Sequence, residues 1–390
     1  MGIANVVETR FKQMFNEQPL LVRSPGRVNL IGEHTDYNHG FVLPAAIDKA
    51  MYFAITPRMD AVCKVFARDM NEEQEFSVHD LQHSPRGWPD YLMGVVDQFT
   101  KAGHRIGGFN CVFGSNIPIG AGMSSSAALE AGLAFALNAL FGLHIEPLTL
   151  VTMAQQAENE FVGVRCGIMD QFINIFGKER NALLIDCRSL KYSYYPLDSR
   201  VSLVLFDTCV SHSHATSEYN RRREECNEGV DIIKKRFPEI THLRDVTTEM
   251  LDRCKNDIPV TVFRRCLYVV EEIERVSKAC KSLEKSDMQQ FGKYMYETHE
   301  GLSAGYEVSC PELDFLVDCV RDDPRVYGSR LMGGGFGGCT INLVENNAVD
   351  EVSALVADRF ISRFNVEPKA YVTSVGSGTA FITADDSVKA

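Results

Sequence analysis

The sequence predicts a two-domain protein of mixed strands and helices, either α+β or α/β, and three observations lead there. The chain has 390 residues, and domains run to about 100–200 residues each, so two are expected. Apolar residues make up 45% and charged residues 24%, a globular balance that excludes disordered and fibrous classes. Strand-like and helix-periodic runs occur in both halves. A chain of this length buries a sizeable core without disulfide or metal staples.

Taken in order, the pattern predicts a charged helix over 5–16, then strands at Leu20–Val22, Phe41–Leu43, Met51–Thr56 and Lys64–Ala67. A strand-like run at Asn110–Phe113 precedes two helices, Ser125–Phe141 and Pro147–Phe161, with strands at Ala182–Asp186 and Val201–Asp207 after them. The division is placed at 205, giving domains 1–205 and 206–390. The second domain is expected to hold helices at Ser217–Phe237, Val262–Lys281 and Met288–Tyr306. There, Tyr327–Ser329 and Thr340–Val344 flank a glycine-rich loop. Ala370–Val375 and Thr379–Thr383, joined by Gly-Ser-Gly, read as a terminal hairpin. Residues 384–390 read as a frayed tail.

Forty Lys+Arg against 52 Asp+Glu leave a net charge of −12. That balance argues against nucleic-acid and anionic-membrane partners, which call for a basic surface. A local cationic site for a phosphate remains compatible with it. None of the twelve cysteines forms a C-x-x-C pair, the nearest two being Cys310 and Cys319, so zinc and redox motifs are not expected. Glu8 and Arg10 interrupt any secretory signal, and Val6 stands where a myristoylation signal wants Ser or Thr. The most lipophilic stretch, Ala127–Leu143, contains Glu130 and Asn138 and is too short and polar to span a bilayer. A cytoplasmic, monomeric protein with reduced thiols is expected.

Three loops carry the chemistry. Gly120-Ala121-Gly122-Met123-Ser124-Ser125-Ser126 leads into a helix. Its glycines allow close backbone approach, its serines offer hydroxyls and a helix cap, and the helix start attracts anions. Local sequence alone leaves a simple capped turn as an equal reading. No Gly-Lys-Ser/Thr follows, so it is not a Walker loop, and H-R-D and D-F-G are absent. Gly333–Gly338 satisfies G-x-G-x-x-G, but the alternating strand after it excludes a dinucleotide fingerprint. Close approach to a ligand or another loop explains those glycines better than an idle turn. The third segment, Ser24–Asn38, gathers Glu33, His34 and Asp36, which suit several sugar hydroxyls. On its own such a cluster is more often a solvated turn, and a metal site there fits no standard spacing. His212-x-His214 is a short metal-type pair without an evident third ligand. Glu158 and Asp170, twelve residues apart, say little by spacing alone.

Together these segments resemble the GHMP family of small-molecule kinases, and the resemblance sharpens to its galactokinase branch. Gly26-Arg27-Val28-Asn29-Leu30-Ile31-Gly32-Glu33-His34-Thr35-Asp36-Tyr37 is the most discriminating string; Cys166–Phe172, Leu184–Ser189, Ser217–Tyr219 and Glu307–Leu313 add to it. The resemblance implies an α+β architecture of two mixed α/β domains with the active site in their cleft. It further implies transfer of the ATP γ-phosphoryl group to the C1 hydroxyl of galactose. By the same resemblance, Gly120, Ala121, Gly122, Met123, Ser124, Ser125 and Ser126 wrap the phosphates, and Ser126 and Glu158 hold Mg²⁺. Asp170 takes the hydroxyl proton or orients the hydroxyl, and Arg27 keeps Asp170 ionised. Glu33, His34, Thr35, Asp36, Gly167 and Tyr219 bind the sugar. The third motif departs from the family in carrying Met332 where Thr is usual, so Met332 has no assigned role. The alternatives are a kinase for N-acetylgalactosamine and a catalytically silent sugar sensor.

Overall fold

The computed structural model describes residues 2–118, 120–211 and 215–382. In chain order it runs α1 (Ile3–Phe15), β1 (Leu20–Asn29), β2 (Phe41–Val42), β3 (Pro44–Pro57), β4 (Val62–Ala67), β5 (Glu72–Ser77), α2 (Trp88–Lys101) and β6 (Phe109–Ser115). Then come α3 (Ser125–Leu140), α4 (Pro147–Gln156), α5 (Met169–Phe176), β7 (Asn181–Asp186), β8 (Tyr192–Pro196) and β9 (Val201–Ser211). The remainder is α6 (Ala215–Lys234), α7 (Thr248–Cys254), α8 (Val260–Glu284), α9 (Met288–Glu300), α10 (Pro311–Val320), β10 (Val326–Leu331), β11 (Gly337–Glu345), α11 (Val349–Phe364), β12 (Lys369–Thr373) and β13 (Ala380–Phe381).

Three sheets result, ordered β13-β1-β3-β6-β4-β5, β10-β11-β9-β12 and β2-β7-β8. Only β4 and β6 pair in parallel among the described strands, so the α+β expectation holds. α3 lies against β1 and β3 with most of its surface buried. Small residues let it approach: a Cβ on Gly132 would sit 2.4 Å from the Phe53 ring. The largest apolar cluster runs from β1, β3 and α3 into Leu203, Leu205, Val276, Phe291 and Ile341, so both halves share it. No helix among the described residues is long and apolar enough to cross a membrane.

The expected terminal hairpin does not form. β12 pairs with β9 in the four-stranded sheet, whereas β13 pairs with β1 in the six-stranded one. Gly376 and Gly378 carry the chain between sheets, their backbone amides donating to Ala46 and Gly177. Alternation predicts a strand but not its partner. Residue 205 falls inside β9, whose neighbours β11 and β12 both come from the second half. Several elements had no expected counterpart. β5 is an edge strand reading Glu-Glu-Gln-Glu, a composition that suppresses strand propensity while discouraging edge pairing. The helix expected to reach Phe161 changes at Ala157–Val162 into a π-turn, and α9 likewise runs into one at Gly301–Gly305. His212 and His214, like 384–390, lie outside the described residues.

The turn after β1 is pinned by the second half. Gly32 adopts φ +97 where a Cβ would fall 2.7 Å from the Phe41 carbonyl, and its amide donates to Glu272 Oε1 at 2.8 Å. Arg330 on β10 is wholly buried; it donates to the carbonyls of Leu30 (2.8 Å) and Asn29, and to Glu33 Oε2 at 2.7 Å. Removing one partner of such a pair strands the other charge at a cost of about 3–5 kcal/mol. We therefore expect Arg330→Met to lose stability on that scale in urea unfolding, with Glu33→Gln/Arg330→Met recovering part of it. A loss below about 1 kcal/mol would show that the pair behaves as a surface contact.

Candidate active site

Arg27 and Asp170 form the centre. Arg27 follows a register break in β1 at Pro25/Arg27, and Asp170 occupies the first turn of α5, where the helix dipole favours a carboxylate. They meet as a two-pronged fork, Nε to Oδ1 at 2.7 Å and a terminal nitrogen to Oδ2 at 2.8 Å. Burial alone would lower the Arg27 pKa, but Asp170, helped by Glu33 and Asp36, outweighs it and the net direction is upward. Arg27 also donates to the Gly122 carbonyl, and its amide to Met123. The 120–126 loop is thereby tied to β1.

Ser124 shows how that loop departs from a simple capped turn. It sits at the cap position of α3 with φ 53 and makes no side-chain cap bond. Its hydroxyl donates instead to Asp170 Oδ2. Beside it, Ser126 hydrogen-bonds Glu158, and burial together with the Asp170 charge raises the Glu158 pKa despite bonds from Cys166 and Gln171. Gln171 donates to Glu158 Oε2 at 2.7 Å and to Glu130 Oε2 at 3.3 Å. Glu130 is fully buried with Oε1 unpartnered, and its pKa is raised by burial and then by Glu158. Two carboxylates thus share one pocket of hard oxygen donors with Ser126, a donor set that suits a small divalent cation.

A cavity of about 300 Å³ opens beside the fork, lined by Arg27, Glu33, His34, Asp36, Glu158, Cys166, Gly167, Asp170, Tyr219 and Gly333–Phe336. Five of the six expected sugar residues meet there. Gly167 is required because a Cβ would overlap the Asp36 carboxylate, 1.9 Å away. Thr35 is the exception. It is fully buried, its hydroxyl is engaged by the carbonyls of Gly32 (2.8 Å) and Phe41 (2.6 Å), and it does not line the cavity. Its part is to close the turn that presents Glu33, His34 and Asp36. The glycines of 333–338 approach another loop, as one reading of the sequence anticipates. Gly122 and Gly333, and Gly120 and Gly338, lie backbone to backbone, while a Cβ on Gly335 would strike the Val308 carbonyl at 2.2 Å. Met332 is buried in the shared core and its amide donates to Cys339.

Comparison with known proteins agrees with this geometry. Residues 9–57 match the galactokinase galactose-binding signature, 90–178 the GHMP kinases N terminal domain and 279–361 the GHMP kinases C terminal family. A galactokinase of Roseiflexus sp. (strain RS-1) is 45% identical over 342 residues, covering 87% of this chain and 88% of the relative. The chain belongs to the galactokinase family. The family's Thermotoga maritima galactokinase is 40% identical over 89% of this chain and 95% of its own. Among solved structures, Lactococcus lactis galactokinase complexed with galactose superposes with TM-score 0.93 at 31% identity, covering 98% of this chain and 100% of that one. Methanococcus jannaschii mevalonate kinase, at 17% identity and TM-score 0.65 over 92% of this chain and 99% of that one, shares the fold. Galactokinases and other GHMP kinases are ATP-using enzymes, so this is an ATP-dependent kinase fold with its sugar-signature segment at the cavity.

Four residues of this galactokinase-family site escaped sequence reasoning: Arg330, Gln171, Glu130 and Tyr306. Gln171 and Glu130 stand inside or beside recognised strings, and a buried polar residue on a helical face was the available signal. Asp36 shows the cost of crowding. Burial first, then the charges of Asp170 and Glu33, push it up to about 7 from an ordinary 3.8. The folded state therefore holds this proton more tightly than the unfolded chain, so its stabilising contribution is full below about pH 4 and is lost as pH rises through about 7. We expect the stability of Asp36→Asn relative to the parent to increase between about pH 5 and pH 8, as followed by urea unfolding. A pH-independent difference would mean that Asp36 titrates as an ordinary surface carboxylate.

Proposed function

We propose that the chain transfers the γ-phosphoryl group of ATP to the C1 hydroxyl of α-D-galactose, giving galactose 1-phosphate and ADP. The observation that carries this reading is the Arg27–Asp170 fork standing where the sugar cavity meets the 120–126 loop. Phosphoryl transfer needs an oriented hydroxyl, an in-line phosphate and neutralised charge. Glu33, His34, Asp36, Gly167 and Tyr219 would hold the sugar. Asp170 accepts the C1 hydroxyl's hydrogen bond and takes its proton as the oxygen bonds to phosphorus and ADP leaves. Arg27 holds Asp170 in place and faces the charge developing on the transferred group. The amides of Gly120–Ser126 and the start of α3 would cradle the phosphates.

Ser126 and Glu158 fit Mg²⁺ as oxygen donors, and the crowding of Glu158 against Glu130 and Asp170 is relieved by a cation. Bound there with ATP, the ion would neutralise phosphate charge. We place the reaction in the cytoplasm, a reading supported by twelve cysteines that are all free thiols.

Incubating the enzyme with ATP and a panel of galactose, N-acetylgalactosamine and glucose tests the substrate, with sugar 1-phosphate expected from galactose foremost. Tight galactose binding with no product from any sugar would make the protein a sensor. For Asp170→Asn, kcat should fall about 10²–10⁴-fold while galactose affinity changes far less; near-normal turnover removes Asp170 from the chemistry. Glu158→Ala should raise the magnesium concentration needed for half-maximal rate, and an unchanged requirement excludes it as a ligand.

A further inference from the structure

We propose that Tyr306 is a positioning residue for the sugar: acting through Tyr37, it holds His34 in the tautomer that carries its proton on Nε2, facing the cavity. The inference rests on the reading above that His34 meets galactose. Four side chains make an unbroken chain from the second half of the protein to the sugar loop. Tyr306 lies 3.3 Å from Cys226 Sγ, its hydroxyl is 2.7 Å from that of Tyr37, and the Tyr37 hydroxyl is 2.8 Å from His34 Nδ1. All four residues are buried. At the far end, His34 Nε2 is buried, makes no hydrogen bond within 3.5 Å, and belongs to a residue that lines the cavity beside the Gly334 backbone.

The direction of the chain follows from the chemistry of its members. Burial above all, with Arg222 and Arg330 adding to it against Glu33 and the Gly334 backbone, lowers His34 to about 4, so the ring is neutral and has one donor and one acceptor nitrogen. A phenol is the better donor and an imidazole nitrogen the better acceptor, so the favoured arrangement is Tyr37 O–H donating to Nδ1. Tyr37 oxygen then accepts from Tyr306, and Tyr306 oxygen from the Cys226 thiol. Burial pushes that thiol up to about 11, which keeps it protonated, and Asn38 Nδ2 approaches its sulfur at 3.7 Å while donating to the His34 carbonyl at 2.9 Å. With Nδ1 occupied as acceptor, the ring proton stands on Nε2 as a donor to a sugar oxygen.

Tyr306 is suited to anchor this chain because it cannot shift. It leaves the Gly301–Gly305 π-turn fully buried, stacks near Tyr268 at 4.8 Å, and Arg222 donates to the carbonyls of Tyr306 and Glu307 at 2.8 Å each. Removing its hydroxyl leaves Tyr37 free either to donate to Nδ1 or to accept from it.

The test combines ¹⁵N NMR of the His34 ring in the sugar-free enzyme with steady-state kinetics of Tyr37→Phe, Tyr306→Phe and the double variant. The His34 signals are assigned by their loss in His34→Gln. The parent should show protonated Nε2 and bare Nδ1, and both single variants a shift toward mixed tautomers. Galactose KM should rise about three- to tenfold in Tyr37→Phe, the scale of one neutral hydrogen bond, and less in Tyr306→Phe. In both, kcat should change less than KM, and KM for ATP should hold. The Tyr306 ring also lies 4.8 Å from that of His34, a contact Phe keeps; because the hydroxyl acts only through Tyr37, the double variant should match Tyr37→Phe. Additive effects, or a parent ring protonated on Nδ1, overturn the proposal. An unchanged galactose KM in His34→Gln overturns instead the sugar role of His34, and the tautomer measurement keeps the two failures apart.

Discussion

Burying carboxylates is the constraint around which this protein is built. Glu33, Asp36, Glu158 and Asp170 line one cavity, with Glu130 directly behind Glu158. Each ion taken from water costs several kcal/mol unless it finds a partner in good geometry. Two guanidiniums supply most of the compensation. Arg27 enters from β1 and forks onto Asp170, while Arg330 enters from β10 and holds Glu33. Among the described residues no guanidinium bonds Asp36, Arg223 acting on it only at a distance, and its upward shift to about 7 is what incomplete compensation looks like. Through Arg330 and Glu33, the charge pattern that would select a polyhydroxylated sugar is therefore tied to a bond that joins the two halves.

The two glycine loops meet through their backbones beside the cavity. A Cβ on Gly333 or Gly338 would lie 3.8 or 3.7 Å from the carbonyl of Gly122 or Gly120, an ordinary contact, and it is the positive φ of all four that calls for glycine. Ser124, also at positive φ, can spend its hydroxyl on Asp170 only because the loop turns it away from the helix it precedes. The loop over 120–126 is shaped from outside, by 333–338 above it and by Arg27 below.

Legibility in the sequence followed the density of chemistry. Strings such as Arg27–Tyr37 and Cys166–Phe172 put several unusual residues side by side, and the structure brings them to one cavity. Arg330 was not legible, because its meaning lies in Glu33, 297 positions away; Tyr306 and Tyr37 are 269 apart. Thr35 was overread, since a hydroxyl inside a binding string looks like a ligand until its carbonyl partners are known. The terminal strands were recognised but mispaired, as alternation reports a buried face and not the neighbouring strand. Helix ends at Ala157 and Gly301 were missed because a π-turn of six or five residues is too short to register as a change of period.

The 29–39 segment, finally, is held from outside as well as by its own Thr35. Its carbonyls at Asn29, Leu30, Glu33 and His39 accept from Arg330, Tyr268 and Arg244, and its Gly32 amide donates to Glu272. Every one of those partners comes from the second half, whereas the 120–126 loop takes its tether, Arg27, from the first. A perturbation of α8 or β10 therefore reaches this segment through direct hydrogen bonds, whereas the 120–126 loop meets the second half through the glycines of 333–338. As proposed sugar and phosphate sites, the two segments are held by different parts of the chain, which would let sugar affinity change without rebuilding the phosphate site.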